Sequence, residues 1–320
     1  MDISVIGCGR WGSFLAWYLD KTGHRVSLYG RQGSSNMEEL LKTRKNSLLA
    51  LPESIELTTD LEKAMTAHTV VVSIDSQGLR KLFEELSEKG LTKNTDFVLC
   101  MKGLEIATGK RLSLVAKEFL GEGSRVAVWL GPGHVQEFYA GIPNCMVIDS
   151  DSDELKKELV GSFSSELIRL YYGDDLIGNE IGAAAKNVVG IAAGMLDGRS
   201  LSSLKGALMA RGAREVSRLI KAMGGNELSA YGLCHLGDYE ATVFSKFSHN
   251  RRFGEAFVKG ESSEGLAEGY YTVRALKLLC EQYEVEMPIC NAVYEILYLN
   301  RSPDEALGEL FGRKPKREFY

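Results

Sequence analysis

At 320 residues, with 44% hydrophobic and 25% charged side chains, the chain has an ordinary globular composition and room for two domains. A net charge of −5 gives no basis for nucleic-acid binding, so an anionic ligand must be held by a local cluster of lysines and arginines. No apolar run approaches the ~18–20 residues needed to span a bilayer. The six cysteines, at 8, 100, 145, 234, 280 and 290, form no CxxC pair and are distributed as reduced, buried thiols, so no metal site is expected. The start of the chain has no signal-peptide pattern, and a cytoplasmic location is expected.

Ile3, Val5 and Ile6 make a short apolar strand that runs into GCGRWG at 7 to 12, a match to G-x-G-x-x-G. Trp11, Phe14, Leu15, Tyr18 and Leu19 recur at helical spacing, Gly23 stops that helix, and Arg25 to Tyr29 reads as a second strand. Strand, glycine turn, helix and strand in sequence predict a dinucleotide site. Gly7 permits the tight turn, Gly9 lets the backbone approach a pyrophosphate, and Gly12 lets helix and strand pack closely; Arg10 and Trp11 lie between them. The helix N-terminus supplies free N–H groups to the phosphates. An NAD site usually places an acidic residue at the end of the second strand. Here Tyr29-Gly30-Arg31-Gln32 offers none, and Arg31 suits a 2′-phosphate, so NADP is favoured over NAD.

Further along, Asp60-Leu61 opens a helical turn, Thr69 to Ile74 is a β-branched strand, and residues 77 to 88 look helical. Strands follow at Asp96 to Met101, Val126 to Leu130 and Cys145 to Ile148. The alternation predicts an N-terminal Rossmann-like doubly wound sheet, with ligands at the carboxyl ends of its strands. Ser73, Asp75, Lys102, Gly131 and Gly133 fall at such ends. After about residue 175 long helical patterns take over, at 178 to 197, 200 to 223, 268 to 283 and 289 to 299. The fold class is therefore α/β followed by an all-α C-terminal domain, divided as 1–176 and 177–320. The mixed-charge tail, Arg313 to Tyr320, is expected to fray.

In the helix at 178 to 197, Ile181, Ala185, Val188, Ala192 and Met195 form a core stripe. The neighbouring face places Lys186 between Gly182 and Gly190. Mid-helix glycines cost about 1 kcal/mol each relative to alanine and mark a close approach to the backbone. A carbonyl reductase needs a proton donor near the developing alkoxide and cations for a charged substrate. A lysine of lowered pKa can donate the proton, Asp238 could orient it, and Ser248 to Gly254 is the densest cationic stretch beside glycines.

In order, these motifs resemble the bacterial type of NAD(P)-dependent glycerol-3-phosphate dehydrogenases over nearly the whole chain. They include GCGRWG, CMKGLE at 100 to 105, LGPGHVQEF at 130 to 138, EIGAAAKNVVGIAAG at 180 to 194, GLCHLGD at 232 to 238 and NRRFG at 250 to 254. The resemblance implies reduction of dihydroxyacetone phosphate by NADPH or NADH, in a homodimer that feeds phospholipid synthesis. It implies Lys186 as proton donor with Asn187 as partner, and Lys102 shared between substrate and cofactor. It places Asp238 and Thr242 around the reacting centre, Ser248 and Asn250 on the substrate, and Trp11, Arg31, Val135, Leu266 and Glu268 near the dinucleotide. Gly131 and Gly133 belong to the expected substrate side.

Three departures stand out. His249 replaces an arginine that in the family contacts both phosphate and cofactor, and loses its bidentate fork. Gly133 and Leu130 replace hydroxyl residues, and Asp75 brings a carboxylate to a strand end. The lost donors are expected to raise KM for the phosphorylated substrate. A related reductase of another hydroxy acid or ketone, or a catalytically silent dinucleotide-binding sensor, are the alternative readings.

Overall fold

A computed structural model of the chain describes residues 1–262, 265, 267–315, 317 and 318. Part of the tail expected to fray lies outside the described residues.

The first half alternates strands and helices: β1 (Asp2–Ile6), α1 (Arg10–Lys21), β2 (Arg25–Tyr29), α2 (Ser35–Thr43), β3 (Glu56–Thr58), α3 (Leu61–Ala64) and β4 (Thr69–Val72). Then come α4 (Leu79–Glu88), β5 (Asp96–Leu99), α5 (Leu112–Lys117), β6 (Arg125–Leu130), α6 (Val135–Tyr139), β7 (Asn144–Ser150), α7 (Asp153–Phe163) and β8 (Ile168–Tyr172). They form one eight-stranded sheet in the order β3-β2-β1-β4-β5-β6-β7-β8, parallel except where β7 pairs antiparallel with β6. The crossover from β2 and β3 back to β4 makes β1/β4 the switch point where a doubly wound sheet opens a crevice.

Successive side chains on a strand point to opposite faces, and the core follows that rule. Val71 and Val98 pack with Phe14, Tyr18 and Trp129 on one face. Val70, Val72, Phe97 and Leu99 pack with Phe83 and Leu86 on the other. At α3, Asp60 caps as expected, its Oδ1 accepting the Glu62 amide at 3.0 Å and the Lys63 amide at 3.2 Å.

The second half is helical: α8 (Leu176–Gly198), α9 (Lys205–Ala222), α10 (His249–Lys259), α11 (Glu268–Gln282), α12 (Pro288–Tyr298) and α13 (Pro303–Gly312). α8 is buried from Leu176 to Met195 with few breaks, because other helices surround it and its N-terminal end lies against the sheet. In α9 the buried apolar side chains are Leu208, Ala213, Val216, Leu219 and Ile220, and the flanking Leu201, Leu204 and Met223 are only half-buried. The two halves are tied by a buried ion pair. Glu180 of α8 accepts from the Arg111 guanidinium at 2.5 Å, the Ser113 hydroxyl at 2.6 Å and the Ser113 amide at 2.9 Å. All six cysteines are free. Among the described residues no group of His, Cys, Asp and Glu could hold a metal, and no helix is long and apolar enough to cross a membrane.

Candidate active site

The glycine turn between β1 and α1 is built as its spacing requires. Gly7 has φ +112°, and a Cβ there would lie 2.1 Å from the Ser73 carbonyl oxygen. A Cβ at Gly12 would lie 1.8 Å from the Gly7 carbonyl oxygen, so the turn closes on itself. A Cβ at Gly9, by contrast, would meet nothing within 4 Å. Gly9 is the N-cap of α1, and no side chain caps that helix end. Backbone therefore faces open space where a helix N-terminus points, the arrangement that receives phosphate.

That space belongs to a cavity of about 1150 Å³ between the carboxyl ends of the strands and the helical half, roomy enough for a dinucleotide and a small substrate. Gly7, Gly9, Arg10, Trp11 and Arg31 line one end, with Arg31 beside Ser34 and Asn36. Gly133 and Val135 also line it from the sheet half, and Lys186, Asp238, Thr242, Ser248, His249, Asn250 and Glu268 line it from the helical half, with His249 reaching Arg10. Lys102, Gly131 and Asn187 reach the site through hydrogen bonds, whereas Gly12 serves packing. Leu266 lies outside the described residues.

At the centre two ammonium groups meet one carboxylate. Asp238 Oδ2 is 2.8 Å from Lys186 Nζ and 2.7 Å from Lys102 Nζ. Lys186 also donates to the Thr242 hydroxyl at 2.9 Å, which donates to the Asp238 carbonyl at 2.7 Å. Lys102 donates to the Gly131 carbonyl at 2.5 Å, which links the ends of β5 and β6. Thr242 lies in a single π-helical turn, Glu240–Phe244, a local widening common at functional sites. Burial, reinforced by Lys102, lowers Lys186 to about 8 against the opposing pull of Asp238. Burial and the Asp75 carboxylate raise Glu268 to about 7.

Asn187 fixes the frame behind the lysines. Its Nδ2 donates to the Lys102 carbonyl at 2.8 Å, its Oδ1 accepts from Asn250 at 3.0 Å, and Asn250 Oδ1 accepts the Gly269 amide at 2.9 Å. The glycine face of α8 is explained by what crosses it. A Cβ at Gly182 would lie 3.0 Å from His235 Cβ, one at Gly190 2.7 Å from Thr242 Cγ2, and one at Gly194 1.9 Å from the Arg251 carbonyl. In return, a Cβ at Gly254 of α10 would lie 2.1 Å from the Ile191 carbonyl. These glycines are filled by protein, and their close packing brings Thr242 onto Lys186 and Asn250 onto Asn187.

The departures now have physical settings. Gly133 has φ +144°, and a Cβ there would lie 2.1 Å from the Phe138 ring, which stacks on Phe14 at 5.2 Å. The position is closed to a hydroxyl side chain. Leu130 is a core residue at the end of β6. Asp75 accepts the Gln77 amide at 3.1 Å and caps a short turn. His249 lies between two guanidiniums: Nε2 is 2.5 Å from Arg10 and Nδ1 is 3.2 Å from Arg252. The structure also brings forward His134, which the GPGH run contained but sequence reasoning gave no role. It lines the cavity, and burial together with Lys186 depresses its pKa.

A doubly wound sheet with a glycine turn, joined to a helical half that presents a buried lysine on a carboxylate, defines a two-domain NAD(P)-dependent oxidoreductase. Residues 2–156 match the N-terminal domain, and residues 175–308 the C-terminal domain, of NAD-dependent glycerol-3-phosphate dehydrogenase. The chain belongs to that family. It is 36% identical to a glycerol-3-phosphate dehydrogenase [NAD(P)+] of Thermoanaerobacter sp. (strain X514), covering 100% of this chain and 99% of that one. It is 35% identical to one of Prosthecochloris aestuarii, covering 99% and 100%. The crystal structure of the Coxiella burnetii glycerol-3-phosphate dehydrogenase superposes with a TM-score of 0.89 at 28% identity, covering 98% of this chain and 99% of that one.

Proposed function

We propose that this protein catalyses the reversible NAD(P)H-dependent reduction of dihydroxyacetone phosphate to sn-glycerol 3-phosphate and so supplies glycerophospholipid synthesis. The observation that carries the reading is the convergence of Lys186 and Lys102 on Asp238, beside the cavity that begins at the glycine turn. A bound nicotinamide supplies the hydride. The turn at Gly7, Gly9 and Gly12 would hold its pyrophosphate, with Arg10 at the rim of the same turn. Trp11, Val135 and Glu268 would flank the dinucleotide, and Arg31 gives NADP the advantage over NAD.

Lys186 holds the proton that the C2 oxygen takes as it becomes an alkoxide, and its near-neutral pKa suits transfer in either direction. Asp238 and Thr242 orient Nζ, while Lys102 adds positive charge beside the oxygen. Asn187 holds the Lys102 backbone in place, and Ser248, His249, Asn250, Gly131 and Gly133 bound the substrate end. We place the boundary between the two domains at 176/177. The family resemblance supports a homodimer and a cytoplasmic location.

A substrate panel tests the assignment. Dihydroxyacetone phosphate should be reduced with NADPH, and more slowly with NADH, while ketopantoate should not. Turnover of ketopantoate alone, or NADPH binding without any turnover, would overturn it.

A further inference from the structure

The contact between Arg10 and His249 joins the first residues of two helices. Arg10 opens α1 after Gly9, and His249 opens α10 after Ser248. Neither helix carries an acidic residue in its first turn, so two positive helix ends converge without compensation. Arg252, one turn into α10, approaches the same imidazole from the other side. Among the described residues neither Arg10 nor Arg252 has a carboxylate partner, whereas other arginines near the cavity, such as Arg251 with Asp197, do.

The imidazole cannot satisfy both arginines. A neutral histidine has one acceptor nitrogen, and an imidazolium has none. Burial and the two guanidiniums depress the His249 pKa, so no third cation forms there near neutral pH. One of the two contacts therefore lacks an acceptor, and among the described residues the charges that act on His249 are the two guanidiniums.

We infer that Arg10 and Arg252, reaching from the sheet and helical halves to the paired N-termini of α1 and α10, form a clamp for a phosphate oxyanion, with His249 as a neutral spacer between them. Arg10 thereby supplies from the glycine turn a guanidinium that position 249 does not. A phosphate oxygen set between the two guanidiniums would give each a charged acceptor and would tie the two halves together. The oxyanion can come from the substrate phosphate or from the dinucleotide pyrophosphate. Only that choice rests on the function proposed above.

The test uses the whole chain carrying R10A, R252A or H249E, with thermal melting as the control for folding. Three quantities are read: fluorescence-detected Kd for NADPH and NADH, KM for dihydroxyacetone phosphate, and thermal stabilisation by inorganic phosphate. R10A and R252A should abolish stabilisation by phosphate and weaken one ligand by about tenfold or more, as expected for a lost charged hydrogen bond. A rise in KM with both Kd values unchanged assigns the substrate phosphate. A parallel rise in both Kd values assigns the pyrophosphate. H249E puts a carboxylate between the guanidiniums and should raise the melting temperature while excluding phosphate. The clamp is overturned if both arginine variants leave all three readouts within twofold, or if H249E lowers the melting temperature without changing phosphate binding. Failure of the wild type to reduce dihydroxyacetone phosphate would strike the proposed reaction, while the NADPH, NADH and phosphate readings would still decide the clamp.

Discussion

The pKa of Lys186 makes the proton-transfer role measurable. With the group at about 8, it is about 90% protonated at pH 7 and about 10% at pH 9. Reduction needs the protonated form, so kcat for NADPH oxidation at saturating dihydroxyacetone phosphate should fall about tenfold between those values. The reverse oxidation needs the neutral amine and should rise over the same range. An ordinary lysine at 10.5 would leave the reduction rate flat up to pH 9, while the oxidation rate would climb about tenfold per pH unit without levelling off. The neighbours set the direction of two further shifts. Asp238 raises Lys186, so Asp238→Asn should move the limb to lower pH; Lys102 lowers it, so Lys102→Ala should move it to higher pH. Stopped-flow rates of NADPH consumption in the three proteins, from pH 6 to 9.5, read all of this. A flat wild-type profile, or a limb that both variants leave in place, would refute the assignment of the proton to Lys186.

Other consequences concern the frame. Gly133→Ser should not lower KM for dihydroxyacetone phosphate. Its Cβ would enter the Phe138 ring at a left-handed backbone position, and urea unfolding should show a loss of about 1–3 kcal/mol or more. Glu180→Ala leaves Arg111 buried and unpaired between the two halves, and should cost about 3–5 kcal/mol in the same assay. A loss below 1 kcal/mol would mean that the ion pair does not hold the halves together. Gly254→Ala would push α10 off the Ile191 carbonyl and displace Asn250, so both stability and kcat/KM should drop; unchanged kinetics would detach the crossing from the site.

Much of this was legible in the sequence because the informative residues are backbone-limited. GCGRWG states a turn that only glycine can make, and the glycines around Lys186 state that something crosses α8 closely. What crosses it was not legible. The partners come from His235, Thr242 and α10, which are distant in sequence, and a helix at His249–Lys259 was hidden by its polar, arginine-rich face. β3 is three residues long, and the edge strand β8 leaves Arg169, Tyr171 and Tyr172 exposed, so neither shows the apolar run that marked the central strands. The antiparallel turn of β7 depends on how the loop after β6 folds, which periodicity does not encode. Reading His249 as a lost guanidinium was sound about that residue but blind to Arg10. The two lie 239 positions apart, and only the fold brings them together.

The most direct test of the account compares NADPH binding and dihydroxyacetone phosphate reduction in the wild type and Lys186→Ala. The variant should titrate NADPH with an unchanged Kd while kcat falls by about 10²–10⁴, the usual contribution of a positioned proton donor. A kcat within a few-fold of the wild type would remove Lys186 from the chemistry and contradict the mechanism.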